Sequence, residues 1–173
     1  MPKGMQVIYN RKASGSATTV TFNNIPQNYT DLHLYVGSRS GAASQSALLV
    51  TLNSNNTNMY SSTRLLGSGS GASSDRFTAQ SYGSVYNNGH AHSTITANVH
   101  GSSFYYFPNY SKDYFKSFFV DGIQENFATA AQLNFIACVG QSTAPITSIS
   151  ITDANGANFT SESIFTLYGI AGD

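Results

Sequence analysis

A chain of 173 residues with 40% hydrophobic content can bury one sizeable core without disulfides or a structural metal. Only 9% of its residues are charged, and 8 basic side chains balance 8 acidic ones. That balance excludes the basic footprint needed to grip nucleic acid and leaves little field to steer a charged partner. The 11 Tyr and 11 Phe argue against disorder. The neutral polar majority of Ser, Thr, Asn and Gly suits strands joined by turns.

In chain order, Met1-Pro2-Lys3-Gly4-Met5 lacks the apolar stretch of a signal peptide, and no later run approaches the roughly 18 apolar residues of a membrane span. The expectation is a soluble chain made in a cytoplasm, with no membrane partner. Residues 1–16 read as an extended N-terminal arm carrying Lys3, Arg11 and Lys12, three of the chain's 8 cations. Residues 17–173 read as a single β-sandwich domain.

Within that domain, alternation of period two marks strands. Thr18, Val20 and Phe22 form one row, Leu32, Leu34 and Val36 a second, and Leu48, Val50 and Leu52 a third. Strands are expected over 60–66 and 77–82, separated by a Gly- and Ser-rich loop at 67–74. Ile95, Ala97 and Val99 read as an inward row, and 114–120 is aromatic and extended. A helical turn fits 122–131. Leu133, Phe135, Ala137 and Val139 then alternate, Ile149 and Ile151 mark a short strand, and 164–170 a last one. Turn clusters such as Asn53-Ser54-Asn55-Asn56 and Asp153-Ala154-Asn155-Gly156 separate these runs. About eight to ten short strands predict an all-β, two-sheet antiparallel sandwich of jelly-roll type.

Residues that could carry chemistry are sparse. The single cysteine, Cys138, lies in an apolar run and reads as a buried, inert thiol. His90 and His92 flank Ala91, so on a strand both imidazoles would share a face and could reach one metal ion, with His100 in the same parity. Against that, no Cys or carboxylate is close in sequence, and the pair follows the Asn87-Asn88-Gly89 turn. A Ser-His-Asp triad has no Gly-x-Ser-x-Gly motif behind it. The eight acids are scattered rather than paired as glycoside cleavage requires. The Asp153 turn lacks the later Glu of a calcium loop. Four Asn-x-Ser/Thr triplets, at Asn28, Asn55, Asn109 and Asn158, follow from composition. The reading is a non-enzymatic chain with no cofactor.

The stretch 104–119 is different. It holds nine aromatics, including Phe104-Tyr105-Tyr106-Phe107, and one strand can bury only one face. Some of these rings must meet a second surface: the chain's own core and loops, a neighbouring subunit, or a sugar. Phe104, Tyr105, Tyr106, Phe107 and Tyr110, with Lys3, Arg11 and Lys12, are the candidate subunit-interface residues.

Three blocks resemble a known family. Residues 16–34 carry Thr21-Phe22-Asn23-Asn24-Ile25-Pro26-Gln27-Asn28-Tyr29-Thr30-Asp31-Leu32. Leu52-Asn53, then Asn58-Met59-Tyr60 and Leu65-Leu66-Gly67-Ser68-Gly69, form a middle block. Ile146-Thr147-Ser148-Ile149 and Phe165-Thr166-Leu167-Tyr168-Gly169-Ile170 form the close. Together they resemble virion proteins of tailed bacteriophages, while 72–127 resembles nothing that can be placed. Met59 sits where the family has Asn and Tyr adjacent, which suggests a bulge. The resemblance implies a jelly-roll sandwich on the outer surface of a virion, often trimeric and without catalytic residues. Roles in that family include capsid decoration or cement, neck, baseplate and tail-fibre modules. The expected partners are further copies of the chain and a major capsid or other virion protein, with a glycan as a further possibility.

Overall fold

The computed structural model describes residues 4–84, 89–125 and 131–171. Among these are eleven strands and no helix: β1 (Gly4–Lys12), β2 (Thr19–Phe22), β3 (Asp31–Ser38), β4 (Leu48–Leu52), β5 (Tyr60–Gly67), β6 (Ala72–Gln80), β7 (Gly101–Phe107), β8 (Lys116–Glu125), β9 (Ala131–Gly140), β10 (Ile149–Asp153) and β11 (Ile164–Ala171). They form an eight-stranded antiparallel sheet, ordered β1-β11-β3-β7-β8-β9-β5-β6, and a three-stranded sheet, β2-β10-β4.

The sandwich follows from alternation. In β3, Leu32, Leu34 and Val36 point inward, and β11 answers with Phe165 and Leu167 in register. The small sheet contributes Val20, Phe22, Leu48, Val50, Leu52, Ile149 and Ile151 from the other side. Tyr60, Tyr105, Phe107 and Phe159 fill the space between. Each such side chain contributes roughly 1.5–3 kcal/mol by leaving water.

Three strands cannot cover eight. The two edges of the large sheet therefore overhang the sandwich, and β1 and β6 are exposed along most of their length on both faces. The segment expected as an N-terminal arm is thus an edge strand, with residues 4–12 paired antiparallel to β11. It shows no alternating inward row: only Ile8 and Tyr9, next to each other at the register shift, are half-buried against the core, and the rest of the strand is exposed.

Two further expectations are corrected. Ile95, Ala97 and Val99 do not form a strand; residues 93–100 run through turns. The Arg39 guanidinium holds that loop, donating to the carbonyls of Val99 (2.7 Å), Thr96 (3.0 Å), Ser93 (3.3 Å) and Ile95 (3.3 Å). The expected helical turn at 122–131 is strand through Glu125, and 126–130 lie outside the described residues.

The segment 89–92 packs inside, where the small sheet leaves the large one uncovered, and Ala91 bridges to Arg39. Two glycines allow the close approach. A Cβ on Gly101 would lie 2.1 Å from the Gly89 carbonyl oxygen, and one on Gly89 (φ +73°) would lie 2.2 Å from that of Ser102.

Candidate functional site

β9 inverts the simplest sequence expectation. Its inward row is Gln132, Asn134, Ile136 and Cys138, while the more hydrophobic row of Leu133, Phe135, Ala137 and Val139 faces outward. Register imposes this, because Phe118 and Val120 of β8, both buried, lie opposite Cys138 and Ile136. Slipping β9 by one residue would exchange every side chain between faces.

The outward row belongs to a larger surface. Five rings cross five neighbouring strands of the large sheet. Tyr168 meets Tyr35 (centroids 5.6 Å apart), Tyr35 meets Phe104 (4.9 Å), Phe104 meets Phe119 (5.9 Å) and Phe119 meets Phe135 (5.4 Å). His33 meets Phe104 and Tyr106 edge-on, and Tyr106 tilts against Phe119. Beyond it lie Ile123, Leu133 and Leu65, each more than half exposed. An antiparallel sheet with one solvated face ordinarily makes that face polar. Here both faces are apolar, and only one is covered by the chain itself.

The candidate interface residues divide accordingly. Phe104 and Tyr106 stand on the outer face, with the Tyr106 hydroxyl donating to Asp31 (3.0 Å). Tyr105 and Phe107 are buried in the chain's own core because strand parity turns alternate rings inward, and Tyr110 is buried there from the turn that follows β7. The Tyr110 hydroxyl donates to the Pro26 carbonyl. Arg11 lies on the exposed β1 edge over the Tyr9 ring, Lys12 pairs with Glu162 at 3.5 Å, and Lys3 lies outside the described residues.

The histidine pair does not face an open ion site. His90 is wholly buried, with Nδ1 2.7 Å from the Ser38 hydroxyl and Nε2 2.8 Å from Asp153 Oδ2. His92 Nδ1 lies 2.9 Å from the Thr94 hydroxyl, and His100 is on the surface beyond the turns. Among the described residues no three His, Cys, Asp or Glu side chains are grouped to hold a metal.

Ser38, His90 and Asp153 are nevertheless a Ser-His-Asp constellation. All three are sealed from solvent, so no substrate reaches the Ser38 oxygen. They join β3 of the large sheet to β10 of the small one through the inserted segment 89–92. Burial alone would raise the Asp153 pKa. Hydrogen bonds from His90, the Ala157 N–H and Ser40, with the His90 charge, outweigh it and hold the carboxyl below its ordinary range. Its other oxygen accepts the N–H groups of Asn155 (2.8 Å) and Ala157 (3.2 Å), so the faint calcium-loop sequence closes as a plain turn with Gly156 at φ +67°.

At one end of the sandwich, Tyr114 and Phe115 project into solvent, 65% and 61% exposed. The buried Lys116 fixes them by donating to the carbonyls of Lys112, Tyr114 (2.7 Å) and Thr143 (2.9 Å). Sequence reasoning missed this pair as the exposed rings of the aromatic stretch, and it missed the two cation-held loops. No local pattern announces that Arg39 reaches carbonyls more than fifty residues away, or that Lys116 turns back on the carbonyls of Lys112 and Tyr114 and across to Thr143.

Family models, curated proteins and solved structures were all compared with the chain, and none matches. What the fold and site define is a β-sandwich with one unpartnered apolar sheet face.

Proposed function

We propose that this chain is a non-enzymatic structural subunit of a tailed-bacteriophage virion, a decoration or cement protein that stabilises the head by binding neighbouring capsid subunits. The observation that carries the proposal is the apolar outer face of the large sheet. A face bearing Phe104, Phe119, Phe135, Ile123, Leu133 and Leu65 costs free energy in water and gains it when covered. Interfaces concentrate aromatic residues at such centres. The resemblance of 16–34, the middle block and the closing strands to phage virion proteins supplies the particle, and with it an external position and a trimeric state. A cement protein acts by mass action: binding the assembled shell and not its separated parts stabilises the shell.

The test compares particles assembled with and without the protein. Particles lacking it should release DNA at lower temperature and after milder osmotic shock; equal resistance would remove the cement role.

A second reading, a neck, baseplate or tail-fibre module that binds a host glycan, is favoured by Tyr114 and Phe115. Rings held rigid at one end of a sandwich suit stacking on a sugar face. Host adsorption should then fall on Tyr114→Ala and Phe115→Ala, whereas a cement protein would leave adsorption unchanged.

A further inference from the structure

Asp121 stands on the outer face of β8 with Phe104 of β7 and Phe135 of β9 directly opposite it in register. It is exposed, and it takes part in no ion pair among the described residues. A carboxylate between two phenyl rings favours a cation that approaches over the aromatic surface. The chain carries such a cation on the same face. Arg76 of β6 pairs in register with Thr63 of β5, whose outward side chain shares its face with Ala137. Arg76 is exposed and likewise in no ion pair. The two cannot meet within one chain: β8 and β6 are separated by β9 and β5, about 14 Å at the usual strand spacing. The β5–β6 edge also overhangs the sandwich with β6 exposed on both faces, as suits an element covered by something outside the chain.

We propose that the β5–β6 edge of a second copy of this chain docks on the outer face of the large sheet, setting its Arg76 against Asp121. The contact rests on the reading of the chain as an assembly subunit and names its partner and its register. Phe104 and Phe135 flank the ion pair and exclude water from it, which strengthens the pairing relative to one in bulk solvent. The near-neutral remainder of the face suits another near-neutral face. The same contact, repeated head to tail, is compatible with a threefold ring.

The test is sedimentation equilibrium of the full chain at micromolar concentration, with Asp121→Arg, Arg76→Asp and the double variant. Wild type should associate. Each single reversal should weaken association by at least about tenfold, and the double variant, or an equimolar mixture of the two singles, should regain most of it. Both positions are exposed, so folding should survive; if a reversal does not fold, Asp121→Asn and Arg76→Gln should show the same weakening. A wild-type monomer, single reversals that associate like wild type, or a double variant no better than the singles would each overturn the contact. A monomer that still enters particles would overturn the contact and leave the proposed function standing. A charge-dependent oligomer absent from particles would do the reverse.

Discussion

His90 Nε2 lies 2.8 Å from Asp153 Oδ2, with neither side chain reaching solvent, and this contact ties the segment inserted between the sheets to the small sheet. Ser38 on the other imidazole nitrogen carries the tie into the large sheet. Removing one member of such a pair strands the other in a medium that cannot solvate it. His90→Ala should therefore lower stability by about 3–5 kcal/mol in urea unfolding. Asp153→Asn should cost less, because the amide oxygen can still accept the Asn155 and Ala157 N–H groups. Equal, small losses for both would mean that the bridge carries little of the stability.

The pH dependence has a definite sign. Burial lowers the His33 and His92 pKa values from 6.5, and the Arg39 and His90 charges lower that of His92 further. For both groups the unfolded chain binds protons more readily than the folded one. Stability should fall as pH drops below about 6.5 and level off once the folded forms also protonate. Asp153, held below its ordinary 3.8, adds stability above that value and loses it as pH falls further. Thermal unfolding between neutral pH and pH 3 should show two successive declines. A flat profile would contradict the burial assigned to these groups.

Two of the few cations, Arg39 and Lys116, act as loop anchors. Arg39→Ala leaves four carbonyls of the 93–99 loop without their donor, and Lys116→Met does the same for three carbonyls beneath Tyr114 and Phe115. Each variant should remain folded and become protease-sensitive at its own loop. The global loss should be roughly 1–3 kcal/mol, the cost of acceptors left unmet. Cleavage at unchanged rates would argue that other contacts hold the loops.

Gly101→Ala tests the inserted segment by sterics alone. The added Cβ would meet the Gly89 carbonyl oxygen and carbon at 2.1 and 2.4 Å, and both are backbone atoms that no rotamer change can move. Overpacking of this kind costs typically 1–3 kcal/mol. The same change at Gly71, where nothing lies within 4 Å, should cost little, so the difference between the two melting temperatures is the readout.

Much of the fold was legible in the sequence because a covered strand advertises itself. β2, β3, β4, β10 and β11 each bury one face, and their alternating residues mark them. β1 was not legible: on this edge strand only the neighbours Ile8 and Tyr9 reach the core, so no alternating inward row marks it. The 93–100 turns mimic alternation, yet they take their shape from Arg39, more than fifty residues upstream in the chain. The outer-face site was half legible. The aromatic surplus at 104–119 pointed to a second surface, but which rings reach it depends on parity, which kept Phe104 and Tyr106 and withdrew Tyr105 and Phe107. The outward turn of Leu133, Phe135, Ala137 and Val139 depends on the register of β9 against β8, which no local pattern encodes.

The outer face can be interrogated directly through Ala137, which stands on it between Phe119 of β8 and Thr63 of β5 with little side chain to disturb. The natural thiol supplies the control: burial pushes the Cys138 pKa up to about 12, so it should not react with a thiol reagent while the chain is folded. The measurement is the labelling rate of Ala137→Cys in dilute protein and in purified particles that contain it. Labelling should be rapid in the dissociated chain and strongly suppressed in the particle. Equal labelling in both would contradict the claim that this sheet face is the surface by which the protein joins its assembly.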